Sequence, residues 1–270
     1  MNLRYFLIVF LSFLCTGFGE NAYAQDKDKT DEYDVYLLVG QSNMAGRGYM
    51  TEKDMKVIDK NVFILNEDGE VVPARNPLNQ YSSIRKGMNI QRIGPGYGFA
   101  KKVAKKTKRK ILLVVNARGG TTLSQWAKGE GGNGYYEEAV RRTQQALQYG
   151  TLKAILWHQG CGDARKTDGY LDNLAVFVQN LRTDLGADVP FIAGELGQWI
   201  GHVAAFNEMI HSISEYIPNS DWVSSDGGVP IATPDPEGEP NFKDPHFNRK
   251  SQIMLGERYA DKVLEMCYNF

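Results

Sequence analysis

The chain has 270 residues, enough for one large domain or two small ones at about 100–200 residues each. A hydrophobic fraction of 42% and a charged fraction of 23% are globular values, which excludes a disordered, collagenous or coiled-coil chain. With 31 basic and 32 acidic residues the formal net charge is −1, so no global basic field draws in nucleic acid or an anionic membrane surface.

Residues 1–24 read as a secretory signal peptide. Arg4 supplies the positive n-region, Tyr5 to Leu14 is almost wholly apolar, and Ala22-Tyr23-Ala24 is a small-x-small cleavage site before Gln25. The apolar run is too short to span a bilayer, and no later segment reaches 18 apolar residues. The expectation is an exported protein, periplasmic or extracellular, with no membrane insertion after cleavage. Loss of Arg4 and Glu20 leaves 30 basic against 31 acidic residues, still −1.

Six short apolar runs come next, in order: Asp34 to Val39, Val62 to Leu65, Ile111 to Val115, Ala154 to Trp157, Pro190 to Ala193 and Trp222 to Ser224. Most are continuous rather than alternating, the pattern of strands buried on both faces. Helical 3.6-residue spacing occupies Gly98 to Lys108, Tyr135 to Tyr149, Tyr170 to Leu185, Val203 to Ile217 and Gln252 to Met266. This alternation predicts an α/β fold with a parallel sheet covered by helices on both faces. The dense basic run Lys101 to Lys110 reads as a solvated helix face and helix end. Residues 25–270 show no internal repeat and no linker, so they read as one domain. The Pro- and acid-rich stretch from Gly227 to Asp244 reads as a mobile loop that positions the segment after it. Only Cys161 and Cys267 remain after the leader, too few for a disulfide framework and at no zinc-site spacing. A core of about 246 residues needs no staples, so both thiols are expected to be free.

In parallel sheets the chemistry sits at the carboxyl ends of the strands. After the first strand comes Gly40-Gln41-Ser42-Asn43-Met44-Ala45-Gly46, a serine on a tight turn whose neighbouring N–H groups can face an oxyanion. It is not the G-x-S-x-G elbow. After the third comes Asn116-Ala117-Arg118-Gly119-Gly120, where paired glycines admit close backbone approach. After the fourth comes Trp157-His158-Gln159-Gly160-Cys161-Gly162-Asp163; the Gln159 amide can donate to an oxyanion, and a cysteine nucleophile is the weaker reading of this block. After the fifth, Glu195 reads equally as a substrate-side carboxylate and as a solvated loop residue. Before the last helix, Asp244-Pro245-His246 puts an acid two residues before a histidine, which is the arrangement that orients a general base. His158, His202 and His211 lie in or beside elements and read as structural.

VGQSNMAGRG, ARGGTTLSQW, WHQGCGDA and KDPHFN, in this order, resemble the SGNH/GDSL hydrolase superfamily. Within it they resemble the sialate O-acetylesterase-like branch that includes carbohydrate esterase family six acetylxylan esterases. The resemblance spans about Tyr33 to about Ala260. It implies a three-layer α/β/α sandwich with a flavodoxin-like parallel sheet. It implies a carbohydrate O-acetylesterase that uses a serine and needs neither metal nor other cofactor. Carried over, Ser42 is the nucleophile, His246 the base and Asp244 its orienter, with Asp226 in reserve. The oxyanion hole falls on Ser42, Gly120 and Gln159; Gln41, Asn43, Arg118, Gly119, Glu195 and Trp126 are the substrate-side candidates. Trp126 and Trp199 are placed to stack on sugar rings or to pack loops. Two positions depart from the family: Cys161 stands where a glutamate is usual, and Asp244 lies two rather than three residues before the histidine. The expected partner is an acetylated glycan or sugar, with no nucleic acid; oligomeric state is left open. A lipid or thioester acyl hydrolase on the same fold, and a non-catalytic carbohydrate-binding relative, are the alternatives.

Overall fold

A computed structural model describes residues 32–270; the leader assigned to residues 1–24 lies outside them. A seven-stranded sheet runs in the order β3-β2-β4-β1-β5-β6-β7. Its strands are β1 (Tyr33–Gly40), β2 (Val62–Leu65), β3 (Val71–Pro73), β4 (Lys110–Ala117), β5 (Gly150–His158), β6 (Phe191–Gly194) and β7 (Ser220–Val223). All pairings are parallel except β2 with β3. Every residue of β1 is buried, because its neighbours β4 and β5 flank it and both faces are covered.

The alternation of side chains along these strands divides the core in two. Tyr36, Leu38, Leu113 and Val115 face α2 (Pro95–Thr107) and α7 (Arg249–Tyr268). Val35, Leu37, Val39, Leu112 and Val114 face α3 (Tyr135–Ala146), α4 (Tyr170–Leu185), α5 (Ala204–His211) and α6 (Ile213–Tyr216). The result is the three-layer α/β/α sandwich expected from the sequence. The run Val203 to Ile217, expected as one helix, is two: the chain breaks at Ser212, whose N–H bonds Met209 O. β3 was not expected; it is a three-residue, partly exposed edge strand.

The stretch Gly227 to Asp244 carries a small hairpin, β8 (Ala232–Thr233) with β9 (Glu239–Pro240). It is tied down by Ile231 N–H to His246 O at 2.8 Å and by an Arg92–Asp235 ion pair at 2.7 Å. The lysine run behaves as read: Lys101, Lys105, Lys106 and Lys108 are exposed. Both cysteines are free thiols.

After β1 the chain turns toward β2, whereas α3 carries it from β4 across β1 to β5. The carboxyl end of β1 is therefore the topological switch point of the sheet, the place where open α/β sheets in general bind ligands.

Candidate active site

Gly40 closes β1 with φ +135°, a conformation that L side chains rarely adopt. A side chain there would drive into the His158 carbonyl on β5 at 2.3 Å. This close crossing turns the chain out of the sheet and presents Ser42 on α1 (Ser42–Ala45), a single helical turn. Ser42 is 7% exposed.

His246 arrives from the loop before α7, and its Nε2 lies 2.9 Å from Ser42 Oγ. Asp244 Oδ1 lies 2.6 Å from His246 Nδ1 and also accepts the His246 backbone N–H at 2.9 Å. One carboxylate oxygen thus fixes both the ring and the backbone of the histidine, and the intervening proline does not prevent it. Asp226 is exposed and makes no such contact. Burial pushes the His246 pKa below its ordinary 6.5; Asp244 opposes this, and the nearby Arg47 guanidinium adds to it.

Asn43 clamps this loop from the serine side. Its Nδ2 donates to Pro245 O at 3.0 Å, and its Oδ1 accepts the Phe247 N–H at 3.2 Å, bracketing His246 on both sides. Gln252 Nε2 donates to the same oxygen. Trp199 Nε1 donates to Asp244 O at 2.8 Å, and its ring stands edge-on to Phe247. Asn43, expected to face substrate, and Trp199, left open between stacking and packing, thus hold His246 and Asp244 in place.

Other expectations are corrected by burial and by committed hydrogen bonds. Gln159 Nε2 donates to Thr121 O at 2.9 Å and to Asp163 Oδ2 at 2.6 Å, and its Oε1 accepts from Tyr170. Both amide hydrogens are engaged, so in this arrangement none faces an oxyanion. Gly119, not Gly120, lies against the serine. A Cβ on Gly119 would sit 3.3 Å from Ser42 Cβ, whereas Gly120 is exposed and faces Lys86. Among the described residues, no hydrogen bond engages the backbone N–H of Ser42, Gly119 or Gly120.

Trp126 is fully buried against Trp157, with its Nε1 on Thr121 Oγ1, so it offers no sugar platform. Gln41 is buried, and its Oε1 takes the N–H groups of Gly160 and Cys161. Arg118 donates to the carbonyls of Ile84 and Arg85 and lies over the Tyr135 ring. Glu195 is buried rather than solvated, and its carboxylate is committed to neighbouring groups. It accepts from Ser225 N, Gln198 Nε2 and the hydroxyls of Ser224 and Ser225, and it pairs with His211 at 2.6 Å. Burial pushes its pKa up, but these donors outweigh it and hold the carboxyl below the usual range.

Burial raises the Cys161 thiol to about 11, which disfavours the thiolate that a cysteine nucleophile needs. His158 is buried and neutral, its pKa pushed by burial down to about 4. Tyr259 gives its hydroxyl proton to Trp157 O and so can only accept from His158 Nδ1. The buried, unpartnered Nε2 is then a bare lone pair rather than an orphaned N–H.

Arg47 was missed by sequence reasoning. It stands among glycines at the end of the serine block with no spacing to mark it, yet its Nη2 comes within 2.8 Å of where a Gly119 Cβ would be. It donates to Gly46 O and has no carboxylate partner among the described residues.

The sequence profile described as "Carbohydrate esterase, sialic acid-specific acetylesterase" matches residues 32–265. A protein of Arabidopsis thaliana named "Probable carbohydrate esterase At4g34215" is 30% identical over 195 residues, covering 64% of this chain and 73% of that protein. The X-ray structure of the Arabidopsis thaliana protein AT4G34215 superposes with a TM-score of 0.73 at 25% identity, over 87% of this chain and 98% of that one. A carbohydrate acetylesterase from Xanthomonas citri shares the fold, with a TM-score of 0.62 at 17% identity over 88% of this chain and 57% of that one. With the profile running across nearly all of the described residues, the chain belongs to the carbohydrate esterase family of sialic acid-specific acetylesterases.

Proposed function

We propose that the protein is an exported serine esterase that removes O-acetyl groups from carbohydrates through an acetyl-serine intermediate. The observation that carries this reading is the continuous Ser42–His246–Asp244 hydrogen-bond chain, at 2.9 Å and 2.6 Å. Residues 25–270 act as one esterase domain, and the Met1 to Ala24 pattern supports export.

In the first step His246 Nε2 takes the Ser42 proton as Oγ attacks the ester carbonyl carbon. Asp244 holds Nδ1–H and stabilises the imidazolium that forms. The tetrahedral oxyanion takes N–H donors from the backbone of Ser42 and Gly119, both free to donate. The imidazolium then protonates the departing sugar oxygen as the tetrahedral carbon reforms its carbonyl. In the second step water, deprotonated by His246, attacks the acetyl-serine; acetate leaves and Ser42 regains its proton. Gln159 braces the loops around this centre through Thr121 and Asp163 rather than donating to the oxyanion.

Acetate release from 4-nitrophenyl acetate, measured for residues 25–270 and for Ser42→Ala, tests the reading. Turnover by the wild type and its loss in the variant are expected. Turnover by neither, with both folded, points to the non-catalytic relative; equal turnover by both removes Ser42 from the chemistry.

A further inference from the structure

The formal charge of −1 is spread unevenly, and one face of the molecule is basic. Lys101 and Lys105 lie one turn apart on α2, and Lys108 follows at its C-cap. All three line both of two adjoining grooves, so they form the ridge between them. The groove on the α7 side has a volume of about 630 Å³ and takes in Lys53, Lys106 and Glu257. The other has about 460 Å³ and takes in Lys60 and Asp59.

Lys53 borders the first groove and Lys60 the second, so the loop between them crosses the same face. Ile58 anchors this loop: its side chain packs against the core that α2 covers, and its N–H donates to Ala74 O at 3.0 Å. The residues just before it are exposed, Met55 at 47% and Val57 at 39%, with Lys56 between them.

Lys53, Lys56 and Lys60 of the loop and Lys101, Lys105, Lys106 and Lys108 of the helix are all exposed. None has a carboxylate partner among the described residues, whereas Lys102 is paired with Asp261 and Arg249 with Asp54. These lysines outnumber the acids beside them, Glu52, Asp59 and Glu257. Like charges held this close repel one another, and an anionic surface relieves the repulsion. Met55 and Val57 narrow the choice of anion. A polyanion dissolved in water makes no use of exposed apolar side chains. An anionic bilayer takes lysines at its headgroup phosphates and apolar side chains at the acyl boundary.

We propose that this face docks the protein on the surface of a bilayer that carries anionic lipid. The contact is peripheral, since no helix among the described residues is long and apolar enough to cross a membrane. It goes beyond the esterase reading and does not rest on it: neither groove is lined by Ser42, His246 or Asp244.

The test is co-sedimentation of residues 25–270, which hold the whole described fold, with phosphatidylcholine vesicles containing no phosphatidylglycerol or about 30%, in about 0.1 M salt. The apolar run Tyr5 to Leu14 is left out because it would enter a bilayer by itself. Binding to the anionic vesicles and not to the neutral ones is expected. Lys101→Gln/Lys105→Gln/Lys108→Gln should weaken it roughly 100-fold, at about fivefold per lysine. Lys128→Gln/Arg165→Gln/Lys166→Gln removes as much charge on the α4 side and should weaken it by less than about threefold. Met55→Ser/Val57→Ser should weaken it roughly fivefold and leave binding of inorganic polyphosphate unchanged. All the substituted side chains are exposed, and an equal midpoint in urea shows that each variant folds. No binding to anionic vesicles, equal binding to neutral ones, or equal loss in the two charge variants would each overturn the proposal. Vesicle binding untouched by Met55→Ser/Val57→Ser, or binding of polyphosphate without vesicles, would overturn it by giving the face to a soluble polyanion.

Discussion

Asp244 and His246 are separated by one proline, yet the acid reaches Nδ1 and the backbone N–H of the histidine with the same oxygen. Asp244→Asn is therefore expected to lower kcat by about 10³–10⁴-fold, as loss of the orienting acid does in serine triads generally. Asp226→Asn should change kcat by less than about twofold, and a larger loss there than at Asp244 would reverse the assignment. His246 also has an electrostatic neighbour. Burial first, and Arg47 next, hold the His246 pKa below 6.5. The active base is the neutral imidazole, so a depressed pKa moves the acid limb of the rate profile to lower pH. Removing a cation stabilises the imidazolium and raises that pKa. Arg47→Gln should therefore shift the acid limb of kcat/KM toward higher pH; a shift toward lower pH, or none, contradicts the role given to Arg47.

At the level of elements, the site depends on how α7 is seated, because the residues just before it include His246 and Asp244. α2 and α7 cross so closely that a Cβ on Gly256 would lie 2.0 Å from Pro95 O, and one on Gly98 2.4 Å from Ile253 O. Gly256→Ala must push the helices apart and is expected to cost about 1–3 kcal/mol, read as a lower midpoint in urea unfolding. The first turn of α7 is pinned by a second contact: Arg249 Nε and Nη2 each meet the fully buried Asp54 at 2.7 Å. Burial raises the Asp54 pKa, but Arg249 and Thr51 outweigh it and bring it to about 2, below the ordinary 3.8. A carboxyl depressed in the folded state adds stability above its unfolded pKa and loses it as pH falls through the folded value. This contribution is therefore complete at neutral pH and disappears between pH 3.8 and about 2. Arg249→Ala leaves Asp54 buried without its cation and should cost about 2 kcal/mol, between the limits for exposed and buried pairs. That cost should shrink in unfolding experiments as pH falls through this window. A cost unchanged there would remove the ion pair as its cause.

Across the whole molecule, the sheet was legible because parallel strands buried on both faces must be continuous apolar runs, as Ile111 to Val115 is. β3 was not, since three residues on a partly exposed edge carry too little pattern. The break at Ser212 was also hidden, because Ile213 and Ile217 remain in the same core on its far side. That Ser42, His246 and Asp244 belong together was legible from residue type and order, and the structure joins them in one hydrogen-bonded chain. The supporting shell was not legible. Asn43, Gln159, Glu195 and Trp126 look like exposed ligand-binding groups in a list of loop residues, and only packing shows that they are enclosed and committed to loops. Chemistry is written in side-chain identity; burial of a polar side chain depends on chain segments distant in sequence.

The central claim is that one hydroxyl, activated by one histidine, is the nucleophile. It is tested most directly by reacting residues 25–270 with a fluorophosphonate ester at neutral pH and mapping the modified peptide. The account predicts a single phosphonyl group on Ser42, loss of esterase activity in step with labelling, and slow labelling in His246→Asn. Labelling of another residue, or full activity retained after Ser42 is modified, would contradict it.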